Sequence, residues 1–229
     1  MVKSEYFGFD RAVHTIEDPK IKSGNDVLEV KHAVNNENIV SVSLKDTVLP
    51  ETSKMDRNFY TTSSCGVCGK ASIEAVRVAC DIPDSYDKLR VPVALVYQLP
   101  SLLRGQQEVF EHTGGLHACA LFNLDGTLLL MREDVGRHNA LDKLTGAALR
   151  QGLLPLDEHI LLLSGRASFE LVQKAAMAGI PVIAAVGAPS SLAVSLAEEF
   201  GITLIGFLRN NRFNIYSGAH RVNIPVAEN

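Results

Sequence analysis

Between residues 159 and 208 three short apolar runs, HILLLSG (159–165), IPVIAAV (180–186) and ITLIGFL (202–208), alternate with helical patterns at 168–178 and 190–200. Strands built almost entirely from Val, Ile, Leu and Ala need apolar cover on both faces. Alternation with helices supplies that cover, so this half of the chain is constrained to an α/β architecture. Gly179 and Gly201 stand just where helix C-caps are expected, which gives each helix a defined end. Upstream, ACALFN (118–123) and TLLLMRED (127–134) flank Asp125-Gly126, a strong hairpin signal, and a helix is expected over 137–150. A hairpin beside three strands joined by helical crossovers predicts a mixed sheet inside three α/β/α layers.

Nearer the N-terminus, VLEVKHA (27–33) and NIVSVSL (38–44) alternate apolar and polar positions around an Asn-rich turn and read as a second hairpin. Residues 45–62 are polar and irregular. Ile73, Val76 and Cys80 recur at helical spacing, and another helix is expected over SLLRGQQEVFEH (101–112). The expected organisation is a small N-terminal α+β region, 1–58, followed by one large α/β domain, 59–229.

The chain has 229 residues, with 46 % apolar and 21 % charged, enough for a substantial core. Its net charge of -4 argues against a general binder of nucleic acid or anionic membranes, so any cationic site must be local. No apolar run reaches membrane-spanning length, and the expected location is cytoplasmic. Four cysteines do not make a disulfide framework in a chain this long. Cys80 and Cys119 lie in apolar surroundings and read as small buried hydrophobes.

The other two cysteines stand in SSCGVCGK (63–70), three positions apart among small residues. A structural zinc site needs two further ligands, and no second CxxC is present. A thioredoxin-like couple follows a buried strand, whereas a polar loop precedes this pair. What fits is an exposed loop running into a helix N-terminus beside Lys70, a setting that favours thiolate over thiol. Such a nucleophile, with a second thiol close by, suits carrying a sulfur atom as a persulfide.

Four further segments carry polar chemistry. The turns Ser164-Gly165-Arg166-Ala167-Ser168 and Gly187-Ala188-Pro189-Ser190-Ser191 follow strands that feed helices, where free backbone N–H groups favour anions. Arg137 and His138 open a helix, against the macrodipole by roughly 0.3–1 kcal/mol. Either an anionic ligand lies against them or Glu133 and Asp134 neutralise them. His117 follows the glycine pair in TGGLHACALF, and Arg209-Asn210-Asn211-Arg212 follows the last apolar run, placing two bidentate cations at a sheet edge.

Taken together, SSCGVCGK, TGGLHACALF, REDVGRHNALDK, LLSGRASFELVQKAAMAGIPV and LAVSLAEEFGITLIGFLRNNRFNIYS resemble the formate dehydrogenase accessory sulfurtransferase family, across about residues 60–222. The resemblance implies a main domain similar to the cytidine deaminase fold and a homodimer. It implies that Cys65 takes persulfide sulfur from a cysteine desulfurase, with Cys68 as its partner. The sulfur is passed to the molybdenum cofactor, the bis-molybdopterin guanine dinucleotide, before that cargo enters apo-formate dehydrogenase. No resident metal is expected. Phe207, Leu208, Arg209, Asn210, Asn211 and Arg212 match the family's segment for that dinucleotide, and His117, Arg137, His138, Ser164 and Arg166 are expected to line the same site. Family members usually carry more chain ahead of the point matching Tyr6-Phe7-Gly8-Phe9, so residues 1–58 are expected to be a shortened form of that region.

Two other classes compete. A zinc deaminase needs H-x-E followed by P-C-x-x-C. Here His117-Ala118-Cys119 lacks the glutamate and the CxxC comes first, so that class is excluded. A non-catalytic chaperone of the cofactor or the apo-dehydrogenase would keep the cationic segments without needing Cys65.

Overall fold

The computed structural model describes residues 27–33, 36–45, 88–106 and 115–224. The chain divides into two compact units, Met1–Ala79 and Cys80–Asn229. In the first, β1 (Val27–Ala33) pairs antiparallel with β2 (Asn36–Leu44), as the alternating pattern requires. Cys65, Cys68 and the helix expected around residues 73–80 lie outside the described residues.

The second unit is built on a six-stranded sheet in the order β5-β4-β6-β7-β8-β9. Its strands are β4 (His117–Phe122), β5 (Leu128–Asp134), β6 (Ile160–Leu163), β7 (Val182–Ala185), β8 (Thr203–Arg209) and β9 (Arg212–Ser217). β6, β7 and β8 are mutually parallel; β4 is antiparallel to both β5 and β6, and β9 to β8. The sheet is mixed, as expected. β3 (Val91–Pro92) and β10 (Val222–Asn223) form a separate parallel pair.

The cross-strand register shows why the strands read as continuous apolar runs. Ala120, Leu162, Ala184 and Ile205 align across four strands, and these positions join α1 (Val93–Arg104) in one core. The side chains one position along, Leu121, Leu161, Ile183 and Leu204, point to the opposite face. There lie α2 (Arg137–Arg150), α3 (Phe169–Met177) and α4 (Ser191–Glu199), so the sheet is the middle layer of three. Ala118, Ala120 and Ala184 on the first face leave room for Leu95, Val96, Leu99 and Leu103 of α1 to reach the backbone plane.

Helix ends follow the sequence closely. After α3, Gly179 adopts φ +79° while its N–H bonds Ala176 O and the next N–H bonds Ala175 O; Gly201 repeats this after α4 at φ +60°. This paired bonding in a left-handed residue is the Schellman stop.

Two elements depart from expectation. Of the helix expected over 101–112, residues 101–104 belong to α1 (Val93–Arg104), which starts earlier, with Pro100 inside it and Gly105 as its cap; residues 107–112 lie outside the described residues. A proline ordinarily marks a helix start because it has no N–H to bond backward. Here one lost bond is offset by four buried side chains of α1 that straddle it. The RNNR segment is also more than a turn: it joins β8 to β9, a strand the sequence pattern did not announce.

Candidate functional site

The carboxyl ends of β6, β7 and β8 place three turns side by side, stitched through their backbones. Gly187 N–H donates to Gly165 O at 2.9 Å, Ala167 N–H to Ala188 O at 3.2 Å, Ser190 N–H to Ala167 O at 3.0 Å and Phe207 N–H to Gly187 O at 3.0 Å. The stitching demands glycine at contact points. A Cβ on Gly187 would stand 3.0 Å from Gly165 O and 3.1 Å from Arg166 N, and one on Gly206 2.7 Å from Pro189 Cδ.

Against this shelf sit the ends of β4 and α2. The His117 ring lies over Gly165, whose missing Cβ would come 3.1 Å from Nδ1. Ser164 is committed to the β4 backbone: its hydroxyl accepts from Ala118 N–H at 2.8 Å, and its own N–H donates to Ala118 O at 3.0 Å. Ser164 therefore positions the shelf. Burial first, and then the charges of Arg137, Arg166 and His138, lower the pKa of His117, so it is neutral near pH 7. Those three residues thus lie close enough to His117 to act on it, and the structure brings together four of the residues expected to share a site.

Of the two carboxylates beside the helix-opening cations, Asp134 has other partners. Its carboxylate accepts from Gly136 N–H at 2.8 Å and Asn139 Nδ2 at 3.1 Å, and pairs with Lys143 at 2.6 Å. Burial opposes this charge, but Lys143, Gly136 and Asn139 outweigh it and hold the carboxyl below its ordinary range. Asp134 is spent on starting α2 and on Lys143. Arg137 keeps a buried Nε with no hydrogen-bond partner among the described residues.

His138 has a different companion. Its Nε2 lies 3.2 Å from Ser168 Oγ and 3.7 Å from Glu170 Oε2, with the His138 and Glu170 side chains only 16 % and 13 % exposed. Burial works against the charge on Glu170, yet His138 and Ser168 outweigh it and hold the carboxyl at about 2. Ser168 occupies the N-cap position of α3 but makes no side-chain cap bond, whereas Ser190, its counterpart at α4, accepts from Ala193 N–H at 3.1 Å. Ser168 and Glu170 were absent from the residues expected at the site. No periodicity signals them, because their role depends on α2 and α3 lying side by side.

The segment 207–212 leaves the shelf as a hairpin. Phe207 holds φ 54°, a conformation costing on the order of 1–3 kcal/mol outside glycine, and its ring is exposed. Asn210 and Asn211 both hold φ 53°, which identifies a two-residue type I′ turn and explains why asparagine occupies both places. Arg209 and Arg212 are direct cross-strand partners, exposed and of like charge, an arrangement that destabilises a ladder. Leu208 is buried in the α1 core, so among these six its role is packing.

Cys119 is buried beneath α2, and burial pushes its thiol far above the ordinary range, so it is an inert core group as expected. Among the described residues no helix is long and apolar enough to cross a membrane.

The chain matches the FdhD/NarQ family over residues 14–223. It belongs to that family. It is 57 % identical over 188 residues to a protein of Mycolicibacterium paratuberculosis named "Sulfur carrier protein FdhD", covering 82 % of this chain and 69 % of the relative. A protein of the same name from Streptomyces avermitilis is 56 % identical over 195 residues, covering 84 % and 69 %. A crystal structure of a formate dehydrogenase accessory protein from Desulfotalea psychrophila aligns with a TM-score of 0.70 at 23 % identity, over 96 % of this chain and 81 % of that one. That likeness supports the mixed α/β fold of this member of the FdhD/NarQ family.

Proposed function

We propose that this chain is a sulfur carrier for formate dehydrogenase maturation: Cys65 takes a persulfide from a cysteine desulfurase, and its outer sulfur passes to the molybdenum cofactor before that cargo enters the apo-dehydrogenase. Membership of the FdhD/NarQ family and the names of its relatives support the sulfur half of this reading. The observation that carries the ligand half is the cationic cluster. Arg137 has an unpartnered buried Nε beside His117, His138 and Arg166, at the carboxyl edge where α/β sheets bind nucleotides. Diphosphates of a guanine dinucleotide suit the guanidinium groups of Arg137 and Arg166, and the exposed Phe207 ring, held at an unfavourable backbone angle, suits stacking on a base.

In this reading Cys65 is the nucleophile and Cys68 assists it, while Arg137, Arg166, Arg209 and Arg212 hold the cargo. The protein acts as a cytoplasmic homodimer whose main domain is akin to the cytidine deaminase fold. Intact-protein mass spectrometry after incubation with a cysteine desulfurase and cysteine tests it. A thiol-reducible gain of one sulfur is expected, lost in Cys65→Ala. No gain, with the desulfurase shown active on a control acceptor, overturns the carrier reading in favour of a cofactor chaperone.

A further inference from the structure

The two histidines of the cluster stand in opposite surroundings. His117 faces Arg137 and His138 from α2 and Arg166 from the β6–α3 turn. His138 faces Ser168 and Glu170 from α3, and both reach the same ring nitrogen, Nε2. No bond from Nδ1 to any described residue is present. Ser168 has left its capping position free of a cap bond to make this contact, and Glu170 stands in the first turn of α3, where the helix dipole favours a carboxylate.

We infer that Glu170, with Ser168, is a positioning residue that fixes His138 as its Nε2–H tautomer and leaves Nδ1 as the ring atom available to the bound ligand. An imidazole nitrogen linked to a carboxylate through a hydroxyl has its tautomer set by that link, as outer-shell carboxylates do for histidines elsewhere. At 3.7 Å Glu170 is too far for a direct hydrogen bond, but the Ser168 hydroxyl gives its one proton to Glu170, so Ser168 Oγ, 3.2 Å from Nε2, is left to accept the Nε2 proton in the neutral ring as in the charged one. His138 thereby keeps Nδ1 free of hydrogen bonds to the described residues, in one tautomer. With the ring neutral Nδ1 accepts, and with it charged Nδ1 donates to an anion. This assignment rests on the reading of the cluster as a nucleotide site.

The test uses the full chain with 15N-labelled histidine, guanosine 5′-diphosphate as the probe, and the variants Glu170→Gln, Glu170→Asp, His138→Ala and Glu170→Gln/His138→Ala. Long-range 1H–15N spectra of the neutral ring are expected to show Nε2–H for His138 in the wild type and in Glu170→Asp, and loss of that preference in Glu170→Gln. Calorimetry is expected to show diphosphate binding weakened about tenfold in Glu170→Gln, the low end of what loss of an outer-shell partner does. Glu170→Asp should largely restore it, and Glu170→Gln should add nothing on top of His138→Ala. A wild-type Nδ1–H tautomer, or wild-type binding by Glu170→Gln, overturns the inference. If the wild type does not bind the diphosphate at all while the tautomer pattern is as expected, the nucleotide reading fails and the positioning of His138 by Glu170 stands.

Discussion

Replacing Gly206 by alanine separates the shelf from the rest of the fold. Gly206 has an ordinary negative φ, so the backbone tolerates the change and only the added methyl matters. That methyl would stand 2.7 Å from Pro189 Cδ, 3.0 Å from Tyr216 Cε2 and 3.4 Å from Gly187 O. Carbon atoms in contact prefer about 3.5–4.0 Å. The proline ring must therefore give by about 1 Å, and it belongs to a turn already tied to the first shelf turn through Ala188 O and Ser190 N–H. The Tyr216 ring must move as well. Overpacking of this kind typically costs about 1–3 kcal/mol, and loss of one shelf hydrogen bond adds about 1 kcal/mol. Thermal unfolding should fall by roughly 2–4 °C for each kcal/mol in a unit of this size. Gly206 also precedes Phe207, whose N–H bonds Gly187 O, so displacement moves the exposed ring and should weaken guanosine diphosphate binding several-fold. Gly152→Ala is the control, since its φ of +68° brings strain but nothing lies within 4 Å of the added methyl. It should lose about 1 kcal/mol and keep its binding. An unfolding midpoint for Gly206→Ala equal to that of the wild type, or a loss of stability with binding intact, would refute the claim that the packed shelf places Phe207.

Other expectations follow from the same geometry. Arg212→Glu turns a like-charge cross-strand pair into an opposite one, so chemical denaturation should show the hairpin unit gaining about 0.2–1 kcal/mol while diphosphate binding falls; a loss of both would mean that Arg209 and Arg212 are already paired in the free protein. His117 has a folded pKa below its unfolded value, so the unfolded chain takes up the proton first. Its contribution to stability is therefore complete above the unfolded pKa of about 6.5 and is lost as pH falls below it towards the folded pKa; His117→Gln should flatten the stability profile in that window. Glu170 has the opposite chemistry, a carboxyl depressed from 4.5 to about 2, so its stabilisation is present above 4.5 and is lost as acid carries the pH down through that range. The difference in stability between wild type and Glu170→Gln should amount to about 1–3 kcal/mol at neutral pH and shrink towards pH 2, as read from acid titrations followed by circular dichroism.

Much of the fold was legible in the residues themselves. ILLL at 160–163 and VIAA at 182–185 have no polar alternation, so they demanded a sheet covered on both faces, and Asp125-Gly126, Gly179 and Gly201 marked where elements reverse or stop. These are local facts of side-chain pattern and backbone freedom, and such facts survive whatever the chain does elsewhere. Individual cationic residues were legible too, because Arg137 and His138 break the helix-terminus rule and Arg209 and Arg212 bracket a turn. Pro100 inside α1 shows the limit, since its local signal to start a helix was overridden by burial of Leu95, Val96, Leu99 and Leu103 against the sheet. Which cation belongs with which was decided only by the tertiary structure. Asp134 lies three residues from Arg137 yet serves Lys143, Gly136 and Asn139, while Glu170, thirty-two positions beyond His138, lies against its ring. Charges in a chain have many candidate partners at similar sequence separation. The packing of α2 beside α3 and the stacking of three glycine-lined turns select among them, because only those contacts bring the groups within the few ångströms over which ion pairs and hydrogen bonds act.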